Sequence, residues 1–271
     1  TYSRKAASSR LFAHISDTHF GPDPSYERHG FAPLPCAERL VDTVNRLPFH
    51  VDFVVHTGDV VSEPDDRSYE LAAATLGRLD RPVYYVAGNH DSVAQIRRYV
   101  AIGPRQDLTG DPDLLTYAFE VGGQRFLVVD AQAPPDMDPQ GLLSPAQLAV
   151  LDRGLTPDGP PLTVFCHFLP LALGIPWIDG MMLIANGGEL HRRLAGVGPR
   201  LRGVFVGHLH QALDYYRDGV LYSSAPSAFA QLVGGPTDMD PRTDTVSLPG
   251  FAIVQVTPER SVVRVHAFER P

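Results

Sequence analysis

Short apolar runs recur along the chain, each ending in a turn: Leu11–Ile15, Val51–His56, Val83–Val86, Phe126–Asp130, Leu162–Cys166 and Gly203–Val206. Runs this short, without polar alternation, read as strands buried on both faces rather than as helices. Amphipathic stretches lie between them. Ala37, Leu40, Val41 and Val44 share one helical face, as do Leu71, Ala72, Leu76 and Leu79. Ser144-Pro145-Ala146-Gln147 has the form of a capping box with proline in the first turn, opening a helix through Leu148 and Leu151 to Gly154. Strands alternating with helices point to an α/β chain.

Two regions read differently. Tyr117–Val121 meets Phe126–Asp130 across Gly122-Gly123, and Tyr215–Arg217 meets Val220–Ser223 across Asp218-Gly219. Both are hairpin patterns, since glycine and aspartate tolerate the positive φ of a primed turn. Phe251–Val256 and Val262–Phe268 read as a closing strand pair. The expected architecture is therefore two sheets packed face to face with helices outside. The stretch Gly234–Gly250, rich in Pro, Gly and Asp, reads as an ordered loop or a flexible excursion. Residues 1–271 are read as a single domain with its core over about 11–223.

Formal net charge is −8. An acidic surface argues against a stable nucleic-acid partner or an anionic membrane, both of which select basic patches. No run approaches the roughly 18 apolar residues of a membrane span. Cys36 and Cys166 form neither a disulfide framework nor a zinc pattern, and they read as thiols of a cytoplasmic protein. Thr1 to Arg10 is polar and basic and lacks the apolar stretch of a signal peptide, while a start at Thr1 rather than Met leaves the true N-terminus open. A homo-oligomer is compatible with all of this.

The chemistry gathers where the apolar runs stop. Leu11–Ile15 delivers Ser16-Asp17-Thr18-His19, Val51–His56 delivers Thr57-Gly58-Asp59, and Val83–Val86 delivers Gly88-Asn89-His90-Asp91. Leu162–Cys166 ends at His167, and Gly203–Val206 ends at Gly207-His208-Leu209-His210. Ligand sites of open α/β sheets lie at the carboxyl ends of strands, and these ends carry metal-competent side chains. In an extended segment, residues two apart point the same way, so Asp17 with His19, and His208 with His210, can each close on one ion. Glycines before Asp59, Asn89 and His208 allow the backbone to turn onto a crowded cluster. Carboxylate and imidazole ligands without thiolate suit Mn, Fe, Zn or Co. Seven ligands exceed the need of one ion, so two divalent ions sharing a carboxylate is the economical reading.

Asp17-Thr18-His19, Gly58-Asp59, Gly88-Asn89-His90-Asp91, His167 and Gly207-His208-Leu209-His210, in that order, resemble the calcineurin-like metallophosphoesterases. The resemblance implies a four-layer αββα sandwich. It implies that Asp17, His19, Asp59 and His210 hold one ion, and that Asn89, His167 and His208 complete the second, with Asp59 as the bridge. It further implies that His90 touches the phosphate or leaving group, oriented by Asp91. Gly30-Phe31 and His167–Pro170 look most like bacterial glycerophosphodiesterases and class III cyclic nucleotide phosphodiesterases. Those proteins often carry His-His-Pro-Pro where this chain has His167-Phe168-Leu169-Pro170, a departure that points to an altered pocket wall.

The activity so implied is hydrolysis of a small phosphodiester by in-line attack of a metal-bound hydroxide. A phosphomonoesterase or nucleotide pyrophosphatase, and a metal- or nucleotide-binding module without turnover, stay open. Asn89, His90 and His29 are the candidate substrate contacts, although His29 reads more readily as a solvated loop histidine. His14 and His56 read as satisfied interior histidines, and His50, His191 and His266 as surface or packing residues. Trp177 either lines a pocket or covers the core. Asn186-Gly187-Gly188-Glu189 reads as a helix start rather than a phosphate loop, because no clear strand precedes it.

Overall fold

The computed structural model describes residues 9–271, so the reading of the N-terminal segment falls mostly outside the described residues. The first sheet contains β1 (Arg10–Ile15), β2 (Phe53–His56), β3 (Val83–Tyr85), β13 (Gly250–Val256) and β14 (Ser261–Ala267), in the order β14-β13-β1-β2-β3. The second contains β4 (Gln106–Asp107), β5 (Tyr117–Val121), β6 (Gln124–Val129), β7 (Leu162–Cys166), β8 (Leu201–Val206), β9 (Leu213–Arg217) and β10 (Val220–Ser224), in the order β4-β5-β6-β7-β8-β10-β9. β1, β2 and β3 run parallel, as do β6, β7 and β8, so each sheet carries its carboxyl ends to one edge.

The sheets meet through aromatic rings. Phe12 of β1 stacks on Phe53 at 5.1 Å and meets Phe126, Phe165 and Phe205 of the other sheet edge-on at 5.3–6.2 Å. These rings are at most 1% exposed, and burying each is worth roughly 1.5–3 kcal/mol. Outside the first sheet lie α1 (Pro33–Asn45), α2 (Asp66–Leu76) and α3 (Val93–Tyr99), whose apolar faces join the same core. Outside the second lie α4 (Pro145–Gly154), α5 (Pro176–Met181) and α6 (Gly187–Val197) around a separate apolar cluster. The result is the four-layer α/β sandwich of two mixed sheets.

The local signals operate as read. α4 carries the capping box, with Ser144 accepting from Gln147 N–H and the Gln147 side chain returning to the Ser144 N–H. Asp218 and Gly219 both take positive φ in their hairpin turn, as do Gly122 and Gly123. The Gly234–Gly250 stretch is not one uninterrupted loop: β12 (Arg242–Asp244) pairs antiparallel with β11 (Gln231–Val233). Three residues per strand gave no readable alternation. Among the described residues no helix is long and apolar enough to cross a membrane.

Candidate metal centre

Five loops leave the carboxyl ends of β1, β2, β3, β7 and β8 and converge between the sheets. Backbone hydrogen bonds fix them to one another: Asp17 N–H donates to the Gly58 carbonyl (3.0 Å), His19 N–H to Asp59 (3.1 Å) and Gly207 N–H to His167 (3.0 Å). The side chains then aim by an unusual backbone. Asp17, His19, Asp59, His208 and His210 all have φ between 47° and 69°. Non-glycine residues avoid this left-handed region, and strain of this kind persists where the surroundings over-determine it. The expectation of extended segments with alternating side chains is therefore corrected.

The correction changes which residues meet. Asp17, His19 and His210 form one group, and Asp59, His167 and His208 form another, with donor atoms in each lying within 4.8 Å of one another. His208 and His210, two apart, thus belong to different groups. Asp59 stands between them. Its Oδ1 accepts from His90 N–H (3.0 Å), which leaves Oδ2 at 3.6 Å from His19 Nε2 and 3.4 Å from His167 Nε2. Asn89 Oδ1 joins the second group at 3.3 Å from His167 Nε2.

The hydrogen bonding of the imidazoles tests whether cations fit. His167 Nδ1 donates to the Thr57 carbonyl (2.7 Å) and His210 Nδ1 to the Ala230 carbonyl (2.8 Å). In neutral His210 Nε2 is then the lone-pair nitrogen, and His167 presents its Nε2 to the same space. His167 Nε2 faces His208 Nδ1 at 3.1 Å, and His210 Nε2 faces His19 Nε2 at 3.1 Å. The remote nitrogens, His19 Nδ1 and His208 Nε2, are buried without a partner. Ring nitrogens turned on one another beside two buried carboxylates are a donor set that two divalent ions would fit.

Electrostatics agrees. Burial holds His19 and His208 well below the ordinary histidine value and lowers His210 to about 3. Burial raises Asp17 to about 7, with Asp59 adding to the rise and His167 opposing it. Burial also opposes the charge on Asp59, but His167 and the further imidazoles hold it well below the usual carboxylate range. Against burial, the charge and hydrogen bond of Asp59 raise His167 to about 9, so a cation bound there would displace its proton, while His19, His208 and His210 are already in the neutral form a ligand takes.

The flanking glycines act by two means. Gly58 has φ +99° and turns the chain before Asp59. Gly88 and Gly207 give room instead: a Cβ at Gly88 would stand 2.2 Å from Asp59 Oδ1, and one at Gly207 2.1 Å from Ser16 Oγ.

Asp91 does not touch the His90 ring. Its carboxylate accepts from the N–H groups of Val60 and Gly88 (3.0 Å each) and from the Tyr69 hydroxyl (3.1 Å), tying three segments together beneath the site. His90 is oriented by Ser62, whose carbonyl accepts from Nδ1 at 2.8 Å, while Nε2 meets Arg28 Nη2 at 3.2 Å. The physical reason is topology: the buried carboxylate is drawn to unsatisfied loop N–H groups, and the adjacent side chain leaves in another direction.

Asp138 was not anticipated. Its Oδ1 accepts from Asn89 Nδ2 at 3.0 Å, which turns the Asn89 oxygen toward His167. Asp138→Ala is expected to weaken the Asn89-side ion about 10–100-fold. Manganese titration of the stripped protein by calorimetry checks this, and an unchanged weaker-site affinity would refute it.

The other candidates resolve individually. His29 is exposed, with its ring 6.2 Å from His210 and 6.4 Å from Phe229. His14 and His56 are fully buried and bonded to Thr57 and Thr18 hydroxyls at 2.9 Å each, and burial lowers both to about 3. His191 lies inside, between the Tyr222 hydroxyl and Asp218. His266 stacks on Phe251, and His50 is exposed. Trp177 covers the core, its indole N–H on the Val233 carbonyl at 3.2 Å. Phe168 is not a pocket wall. It is fully buried, edge-on to His167 at 4.8 Å and to His208 at 4.9 Å, and it holds both rings in place.

Comparison with known proteins gives the same direction. The chain is 29% identical over 231 residues to the 3′,5′-cyclic adenosine monophosphate phosphodiesterase CpdA of Pseudomonas aeruginosa, covering 85% of this chain and 80% of that protein. It is 33% identical over 217 residues to the glycerophosphodiester phosphodiesterase GpdQ of Enterobacter lignolyticus, covering 78% and 75%. The crystal structure of a dimetal phosphatase from Danio rerio shares the fold with a TM-score of 0.68 at 18% identity, over 95% of this chain and 96% of that one. The family model described as calcineurin-like phosphoesterase matches residues 10–212, which takes in each of the loops above, and the chain belongs to that family.

Proposed function

We propose that the chain hydrolyses small phosphodiesters at two transition-metal ions. The observation that carries this reading is Asp59, fixed through Oδ1 so that Oδ2 lies between two imidazole groups. Asp17, His19, Asp59 and His210 would hold one ion, and Asp59, Asn89, His167 and His208 the other. Nitrogen and oxygen ligands without thiolate suit Mn, Fe or Zn. When bound, the ions supply Lewis acidity and an acidified water, with charge to offset that developing on phosphorus.

The chain's own residues do the remainder. The Thr57 and Ala230 carbonyls fix the orientation of the His167 and His210 rings, so the Nε2 of each already faces the site. Asn89 and His90 border the space beside the ions, and His29 stands over His210 at its rim. Both relatives named above are phosphodiesterases, which supports a diester of the cyclic nucleotide or glycerophosphodiester type. Cys36 and Cys166 are both free and buried, which supports action in the reducing cytoplasm.

The test is turnover of bis(4-nitrophenyl) phosphate against 4-nitrophenyl phosphate after metal stripping and reconstitution with manganese. The diester is expected to have the higher kcat/KM by at least about tenfold, or about 1.4 kcal/mol of transition-state preference. A preference for the monoester sinks the diester reading, and no turnover of either by protein holding both ions sinks the enzyme.

A further inference from the structure

Arg28 enters the site from the loop between β1 and α1, downstream of the Asp17-Thr18-His19 motif that opens the same loop. It is placed rigidly. Arg28 and Phe31 exchange backbone hydrogen bonds (2.9 and 3.0 Å) around His29 and Gly30, whose φ values are 54° and 78°. That is a two-residue primed turn, closed by both of its backbone hydrogen bonds. The turn is itself anchored, because the Arg270 guanidinium lies 4.0 Å over the Phe31 ring and donates to the Phe229 and Ser247 carbonyls.

The guanidinium so held is under-used. Nη2 meets His90 Nε2 at 3.2 Å, while Nε is buried and has no hydrogen-bond partner. Among the described residues no carboxylate lies within ion-pair distance of Arg28. The His90 ring donates its Nδ1 proton to the Ser62 carbonyl, so toward Arg28 it offers only a lone pair. His90 belongs to the group formed with His19 and Asp59, which puts the guanidinium beside the centre. A fixed cation next to a site built for two further cations is repelled by them, unless an anion sits among all three.

We propose that Arg28 contacts the substrate directly, donating to a non-bridging oxygen of the phosphoryl group, and that His90 acts as its positioning residue. The inference rests on the hydrolase reading above for the nature of the ligand. Guanidinium matches phosphoryl oxygens in geometry as well as charge, and its unpartnered Nε–H lies on the same planar fork as its other donors. Ordering is already accomplished by the turn and by Arg270, so little rotamer freedom remains to be lost on binding.

The experiment is calorimetric titration of inorganic phosphate into the manganese-loaded protein, alongside kcat and KM on bis(4-nitrophenyl) phosphate. Arg28→Ala is expected to raise the phosphate Kd by about 10–100-fold, the range for one lost charge-assisted contact, and to lower kcat/KM similarly. Arg28→Lys is expected to fall between, since an ammonium keeps the charge and loses the fork. Elemental analysis should still find two ions in each variant. A phosphate Kd within about threefold of wild type, or loss of an ion in both variants, overturns the proposal. Should Arg28→Ala fail to fold, the lysine variant decides. Phosphate binding reads Arg28 even if the wild-type protein proves unable to turn over the diester, so the two readings fail separately.

Discussion

Asp59→Asn is expected to lower phosphodiester turnover by at least about 10³-fold, because the loss of several kcal/mol of metal-derived charge stabilisation corresponds to that factor. The residue is 2% exposed and its side chain nearly isosteric with the replacement, so packing should survive. What changes is charge and donor pattern. An amide in this place can keep the hydrogen bond that Oδ1 takes from the His90 N–H, but it cannot offer an anionic Oδ2 to both imidazole groups. Two cations a few ångströms apart then repel without a shared anion. Elemental analysis should show about one ion bound, or two at far weaker affinity. A variant that retains two tight ions and near wild-type turnover would remove Asp59 from the bridging position.

Stripping the ions is expected to lower Tm by on the order of 10 °C, even though no backbone contact is broken. A ligand at 1,000 times its Kd stabilises the native state by about 4 kcal/mol, and a domain of this size loses roughly 2–4 °C per kcal/mol. The structural reason is the two pairs of imidazole nitrogens 3.1 Å apart, His19 with His210 and His167 with His208, beside buried Asp17 and Asp59. Without cations these polar atoms are desolvated and poorly satisfied. Differential scanning calorimetry with chelator, then with manganese restored, measures the shift. Equal melting in both conditions would mean that the cluster is satisfied by the protein alone, and the metal centre would fall.

Local sequence determined the architecture in considerable detail. Short apolar runs became strands, Ser144 and Gln147 formed their reciprocal cap, and Gly122-Gly123 and Asp218-Gly219 made hairpin turns. Each rests on a signal contained within a few neighbouring residues: strand burial, an N-cap hydroxyl, a tolerance of positive φ. The ligand types were equally visible, because apolar strands that stop at Asp17, Asp59, Asn89, His167 and His208 mark the carboxyl edge of a sheet before any fold is known. What spacing could not supply was direction. Asp17, His19, Asp59, His208 and His210 leave the chain in left-handed conformations, so the two-residue alternation of a strand does not apply, and His208 and His210 part company. Partners were hidden for the same reason. His90 takes its orientation from Ser62, 28 positions earlier, Arg28 meets His90 across 62 positions, and Asp138 holds Asn89 across 49. A hydrogen bond depends on distance in space: the side-by-side pairing of β1, β2 and β3 brings Arg28, Ser62 and His90 together, and the packing of the second sheet on the first brings Asp138, from the loop after β6, to Asn89.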